Sequence, residues 1–161
     1  MARLGQRYRG PAVSRIREAV EVEAPPEDVW RVVANPRHFP RWNRFIRAVG
    51  DVPRNGLRRG SSYWTELGGF GVTVKLRAKV EDIDPPNYSR IRLSGPVDAV
   101  VTTWVRPAGA RRSRLEHEIE YRIPGGPVGE LLARTVRLFG GRQLVRRGIR
   151  AQKRQVEEGR R

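Results

Sequence analysis

His38 and His117 are the two histidines of this 161-residue chain, and they bound the chemistry open to it. Cysteine is absent, which removes disulfides, thiolate metal sites and cysteine nucleophiles. No serine sits in a G-x-S-x-G elbow, so the familiar route to a hydrolytic triad is closed. His117-Glu118 is not followed by a second histidine at the H-E-x-x-H spacing, and no metal is expected. Gly69-Phe70-Gly71 lacks both the third glycine and the following helix of a dinucleotide loop, and no cofactor is expected. Asn87-Tyr88-Ser89 matches a glycosylation sequon, which has meaning only in a secreted chain. What remains for proton transfer is His117 with Tyr121, the two candidate acid/base groups.

The elements that must position these groups are short strands separated by strong turn signals. Val72 to Ile83 shows the clearest alternation: Val72, Val74, Leu76, Ala78 and Val80 are interleaved with Thr73, Lys75, Arg77 and Lys79, which makes one face apolar and the other solvated. Ser113 to Ile123 alternates in the same way and sets His117 beside Leu115, Ile119 and Tyr121. Further strands are read at Phe45–Val52, Ser61–Leu67, Tyr88–Ser94 and Asp98–Arg106, with turns at 53–60, 68–71, 84–87, 95–96 and 107–112. An imidazole on an apolar face needs partners. His117 is therefore either a core histidine satisfied by a hydroxyl or backbone group, or a ligand contact or proton donor. Trp64 and Trp104 offer a flat apolar wall with one N–H donor, or simply pack the core. Tyr63, Tyr88 and Arg92 fall on the opposite parity to their apolar neighbours and are expected to face solvent.

Helices flank this run of strands. Val20 and Val22 alternate with Glu21 and Glu23 in a strand that stops at Ala24-Pro25-Pro26. Proline presets the first helical turn there, and Glu27 and Asp28 suit the positive end of a helix dipole. Val29, Trp30, Val32 and Val33 give this helix an apolar face before Asn35-Pro36 ends it. Trp30 and Trp42 read as packing anchors of two small helices. At the other end, roughly Pro127 to Glu158, Val128, Leu131, Leu132, Val136, Phe139, Leu144, Val145, Ile149 and Val156 recur at helical spacings, with a bend expected at Gly140-Gly141. Arg142, Arg146, Arg150 and Arg154, at steps of four, predict a basic stripe along the other side.

A strand followed by "APPEDVW" and then "NPRHFPRW" resembles the opening of the polyketide cyclase/dehydrase and lipid-transport superfamily, the START-like or Bet v 1-like helix-grip (SRPBCC) proteins. The resemblance runs from about Ser14 to Glu158 and implies an α+β helix-grip fold: a curved seven-stranded antiparallel sheet around a long C-terminal helix, with two short helices after the first strand. Residues 1–13 then form a basic flexible leader and 159–161 a tail. The resemblance further implies a cavity between sheet and helix. Combined with the strand parities, it places Trp64, Val74, Leu76, Ile91, Leu93, Thr102, Trp104, His117, Ile119, Tyr121 and Phe139 around a hydrophobic ligand. The expected function is binding of a lipid, isoprenoid quinone or aromatic polyketide, without catalysis. Polyketide cyclisation or dehydration is the alternative, using His117 and Tyr121, with Thr102 and Glu18 as the other polar groups near the pocket.

Charge adds a third reading. With 33 Lys+Arg against 17 Asp+Glu, net +16, the chain is drawn to polyanions. Only Lys75, Lys79 and Lys153 are lysines, so codon bias in a GC-rich genome accounts for the arginines as well as a partner does. The stretch from Arg134 to Arg161 has Glu157 and Glu158 as its only acids, which makes weak association with an anionic membrane through Arg142, Arg146, Arg150 and Arg154 an expectation. RNA is the other polyanion the stripe could meet, though nucleic acid is not the expected partner. No apolar run reaches the roughly 20 residues of a bilayer span, and the N-terminus lacks a signal-peptide apolar core, so a cytoplasmic protein is expected, at most peripheral at a membrane.

Overall fold

Alternation of apolar and polar residues produces seven strands that pair in the order β1-β7-β6-β5-β4-β3-β2, all antiparallel. They are β1 (Ser14–Val22), β2 (Ile46–Gly50), β3 (Ser62–Gly69), β4 (Val72–Asp84), β5 (Tyr88–Ser94), β6 (Asp98–Gly109) and β7 (Arg112–Arg122). The computed structural model describes residues 13–69, 71–123 and 125–161, without the side chains of Val128, Leu132, Thr135 and Phe139. The leader expected over 1–13 lies outside these residues but for Val13. Between β1 and β2 come α1 (Pro26–Val33), a 3-10 turn (Pro36–His38) and the four-residue α2 (Phe39–Trp42). Pro26 opens α1 as the sequence predicts, and the Asn35 side chain caps the 3-10 turn by accepting from Arg37 N–H at 3.1 Å.

The C-terminal helical stretch is two helices, α3 (Pro127–Phe139) and α4 (Gly141–Glu158). Gly140 separates them at φ +70°, a left-handed conformation that glycine takes without steric cost. Gly141 has a different reason to be glycine. A Cβ there would lie 2.7 Å from Ile16 Cδ1 and 3.5 Å from the Tyr121 hydroxyl, so the helix start sits closely on the sheet and any side chain there would push Ile16 aside.

α4 lies over β1 and β7 and against α1 and α2. Beneath it Val22, Val29, Val33, Val105, Leu115, Ile149 and Val156 form the buried cluster, with Val20, Trp30 and Val32 packed on its edge. Each large aliphatic chain buried in this way stabilises the fold by about 1.5–3 kcal/mol. Polar ties complete the joint. Ser113 Oγ donates to Ala24 O at 2.7 Å, Lys153 Nζ donates to Glu21 O at 2.8 Å, and Glu157 accepts from Glu23 N–H at 3.0 Å. Arg160 pairs with Asp28 at 2.8 Å. The end of α4 is thus tied to the turn where β1 becomes α1.

Candidate functional site

Strand register decides which side chains face the helices. His117 Nε2 meets Gln152 of α4, so the face carrying His117 is the concave one. Its cross-strand partners Glu18 on β1 and Thr103 on β6 share that face. Carrying the register outward puts Ile16, Val101, Ile91, Leu93, Val74, Leu76, Ala78, Val80, Tyr63 and Thr65 there as well, together with Ile119 and Tyr121. Val74, Leu76, Ala78, Val80 and Tyr63 are buried. Ile91, Leu93, Val101, His117, Ile119 and Tyr121 are only half-buried, although they occupy the interior strands β5, β6 and β7.

The same register corrects part of the sequence reading. Trp64, Thr102 and Trp104 lie on the convex face, not in the expected cavity. Trp104 is stacked between Arg17 and Arg106, whose guanidinium carbons lie 5.1 and 5.6 Å from its ring, and it tilts against Tyr88 at 6.1 Å. Thr102 accepts from Arg90 at 3.4 Å. The reason lies in the pattern. Strict alternation is missing from β6, where Ala99, Val100, Val101, Thr102 and Thr103 are apolar or small on both parities, as in any strand buried on two sides. Tyr63 is the converse case. Expected toward solvent, it points inward, 4% exposed, with the Phe39 ring 6.5 Å away, and burial pushes its phenol pKa well up. Tyr88 and Arg92 do face outward, Arg92 pairing with Glu81. Phe139 belongs to α3, and its side chain lies outside the described set.

At the centre of the concave face His117 is held at both ring nitrogens. Gln152 presents Oε1, so Nε2–H donates to it at 2.7 Å, and Nδ1 accepts from the Thr103 hydroxyl at 2.9 Å. This tautomer is neutral. Burial lowers the His117 pKa from its ordinary 6.5 and outweighs the opposing pull of Gln152 and the Glu116 charge. Sequence inspection missed Thr103 and Gln152. The signal for Gln152 was its place three residues after Ile149 and four before Val156, a polar residue in the buried stripe of a helix. Tyr121 stands four residues from His117 on the same strand, hence about 13 Å away, with its hydroxyl beside Gly141. The two candidate acid/base groups therefore do not converge on one atom.

Glu18 closes one edge of the face. It pairs with Arg146 at 3.2 Å and Arg142 at 3.6 Å, which draws half of the expected arginine stripe down onto β1. Arg150 and Arg154 remain exposed, and neither forms an ion pair with a described residue. Among the described residues no group of three His, Asp or Glu side chains gathers where a metal could sit, and no helix is long and apolar enough to cross a membrane. A separate surface groove of about 360 Å³ lies between α1, the 3-10 turn and the end of β4, lined by Trp30, Arg37, Val52, Leu57, Ile83 and Pro85.

Solved structures share this arrangement. The Zhui aromatase/cyclase from Streptomyces sp. R1128 superposes with a TM-score of 0.75 at 15% identity, covering 93% of this chain and 97% of its own. TTHA0849 from Thermus thermophilus gives 0.73 at 17%, covering 91% and 99%. A START superfamily protein from Mycobacterium smegmatis gives 0.66 at 18%, covering 89% and 97%. At such identities the likeness establishes the fold. No match is found among curated protein sequences. The family model described as polyketide cyclase/dehydrase and lipid transport matches residues 14–157, the whole span from β1 to the end of α4. The chain belongs to the polyketide cyclase/dehydrase and lipid-transport family.

Proposed function

We propose that the protein binds a hydrophobic small molecule, a lipid, isoprenoid quinone or aromatic polyketide, against the concave face of its sheet, and that it does so without turnover. The observation that carries this is the half-buried state of Ile91, Leu93, Val101, Ile119 and Tyr121. Apolar side chains on interior strands normally complete their burial against another layer, and each leaves stabilisation of about 25 cal/mol per Å² unrealised while it stays accessible. A bound apolar molecule supplies that layer. The Glu18–Arg142–Arg146 cluster then stands at the β1 edge, where a polar head group would meet it.

Non-catalytic binding fits His117. Both its ring nitrogens are already bonded, so acting as an acid or base would break one of these hydrogen bonds. The likeness to an aromatase/cyclase supports the cyclase reading at the level of fold, but a fold does not carry a reaction with it.

Native mass spectrometry of freshly purified protein, followed by solvent extraction, tests binding. A co-purified apolar molecule is expected, and Leu93→Trp, which fills the concave face, should reduce its yield. Incubation with a poly-β-ketone tests turnover: product ratios should remain at the spontaneous distribution, and a shift abolished by His117→Ala would establish the cyclase reading instead.

A further inference from the structure

The convex face of the sheet is divided electrically. Over β1 and β7 most of its charges are paired: Arg15 pairs with Glu118 at 3.9 Å and Glu120 at 3.3 Å, Arg17 with Glu116, and Arg114 with Glu116 at 3.5 Å, while Arg122 at the end of β7 stays exposed. On β5, Arg90 and Arg92 share Glu81. The strip formed by β2, β3 and β4 is different. Arg47, Lys75, Arg77 and Lys79 are all exposed, and none forms an ion pair with a described residue. Glu66 of β3 is the direct cross-strand partner of Lys75, yet Lys75 Nζ sits instead over the Trp64 ring, 4.0 Å from its centroid.

Trp64 lies flat. A side chain at Gly50 would collide with its indole, so the inner ring face rests on the bare backbone of β2 and the outer face is turned away from the sheet beneath a single movable ammonium. Along β4 the outward residues 75, 77 and 79 recur about every 6.8 Å. A strand whose phosphates rise about 3.4 Å per nucleotide within a duplex can, when single and stretched, match that spacing with its phosphates.

We propose that this strip, Trp64 with Arg47, Lys75, Arg77 and Lys79, binds single-stranded nucleic acid. A base stacks on the outer face of Trp64, Lys75 leaves the ring for the adjoining phosphate, and Arg77 and Lys79 hold the following ones. An aromatic platform flanked by basic side chains is what sequence-tolerant single-strand binding requires. A duplex offers no free base face to the indole. An anionic bilayer fits less well, because an anchoring tryptophan must project into the interface, whereas Trp64 is pressed against β2. Sequence alone points away from nucleic acid, and the outward position of Trp64 is what changes the reading.

Fluorescence anisotropy with a labelled single strand of about ten nucleotides, as oligo-dT and oligo-U, tests it between about 50 and 200 mM salt. Saturable binding is expected, with log K falling against log salt at a slope between about −2 and −3, as three or four phosphate contacts give. Trp64→Ala should weaken binding roughly tenfold or more, while Trp64→Phe keeps most of it and guards against a folding defect. The pair Lys75→Gln and Arg77→Gln should flatten the slope by about 1.4. Absence of binding at low salt, indifference to Trp64→Ala in a variant with an unchanged circular dichroism spectrum, or equal affinity for duplex would overturn the proposal. So would phosphatidylglycerol vesicles binding through Trp64 where oligonucleotides do not.

Discussion

Replacing Gln152 by leucine separates the roles of the His117 network. Gln152 is 2% exposed, and its Oε1 is the partner of His117 Nε2–H at 2.7 Å. Leucine keeps the volume and removes the acceptor, so a buried donor is left unpaired at a cost of about 1–3 kcal/mol. For a domain of this size each kcal/mol shifts the melting temperature by about 2–4 °C, so a fall of roughly 2–12 °C at pH 7.5 is expected in a calorimetric or circular dichroism melt. The pH dependence is the sharper readout. The folded pKa of His117 lies below its ordinary 6.5, so below pH 6.5 the unfolded chain takes up the proton first and stability declines by at most about 1.4 kcal/mol per pH unit until the folded pKa is passed. The contribution is present in full above 6.5 and is lost on acidification. Gln152 pulls the pKa upward against burial, so the leucine variant should have a still lower folded pKa, and its decline should continue to a lower pH than in the wild type. The triple variant His117→Phe, Gln152→Leu and Thr103→Val removes all three polar members of the network, and its melting temperature should recover at least half the loss, with a flattened acid limb. A Gln152→Leu protein as stable as the wild type, with an unchanged acid limb, would refute the bonded, neutral histidine.

Other contacts lead to outcomes of the same kind. Ser113→Ala removes the buried bond to Ala24 O and should cost about 1–2 kcal/mol in a denaturant titration, because the carbonyl loses its partner. Gly141→Ala brings a methyl to 2.7 Å from Ile16 Cδ1, and overpacking of this kind costs about 1–3 kcal/mol, toward the lower figure where the colliding atom ends a side chain that can turn; a thermal melt measures it. Arg150→Gln with Arg154→Gln should lower co-sedimentation with phosphatidylglycerol vesicles at low salt, where each basic residue contributes about 1 kcal/mol at most, whereas Arg142→Gln with Arg146→Gln should chiefly lower stability, since those two guanidiniums are engaged by Glu18.

The fold was legible because its signals are local and concordant. The proline pair at 25–26, the acidic first turn of α1, the turn chemistry between strands and the glycine pair at 140–141 each act through backbone conformation, and each appears where the sequence places it. Of the side chains expected around the ligand, Val74, Leu76, Ile91, Leu93, His117, Ile119 and Tyr121 share the concave face, because β4, β5 and β7 alternate cleanly and parity needs no further information. Gln152 left a trace as a polar residue in the buried stripe of α4, whereas Thr103 left none, since a side-chain bond between neighbouring strands has no periodic signature.

The two misplaced indoles show how much rests on a single step of parity. In β3 both faces carry an aromatic, Tyr63 on one and Trp64 on the other, so burial preference cannot choose between them. What chooses is Gly50 on the neighbouring strand: it opens a flat seat on the convex side that fits an indole, while Phe39 of α2 covers the concave side and meets a phenol edge. In β6 the choice falls to Arg17 and Arg106, which cover Trp104 from outside. Neither determinant is adjacent in sequence to the residue it places. The consequence is chemical. With both indoles outside, the concave face is lined chiefly by aliphatic side chains with a neutral histidine and the phenols of Tyr63 and Tyr121, suited to holding an apolar molecule, and the aromatic and cationic groups that could meet a polyanion stand together on the opposite side of the same sheet.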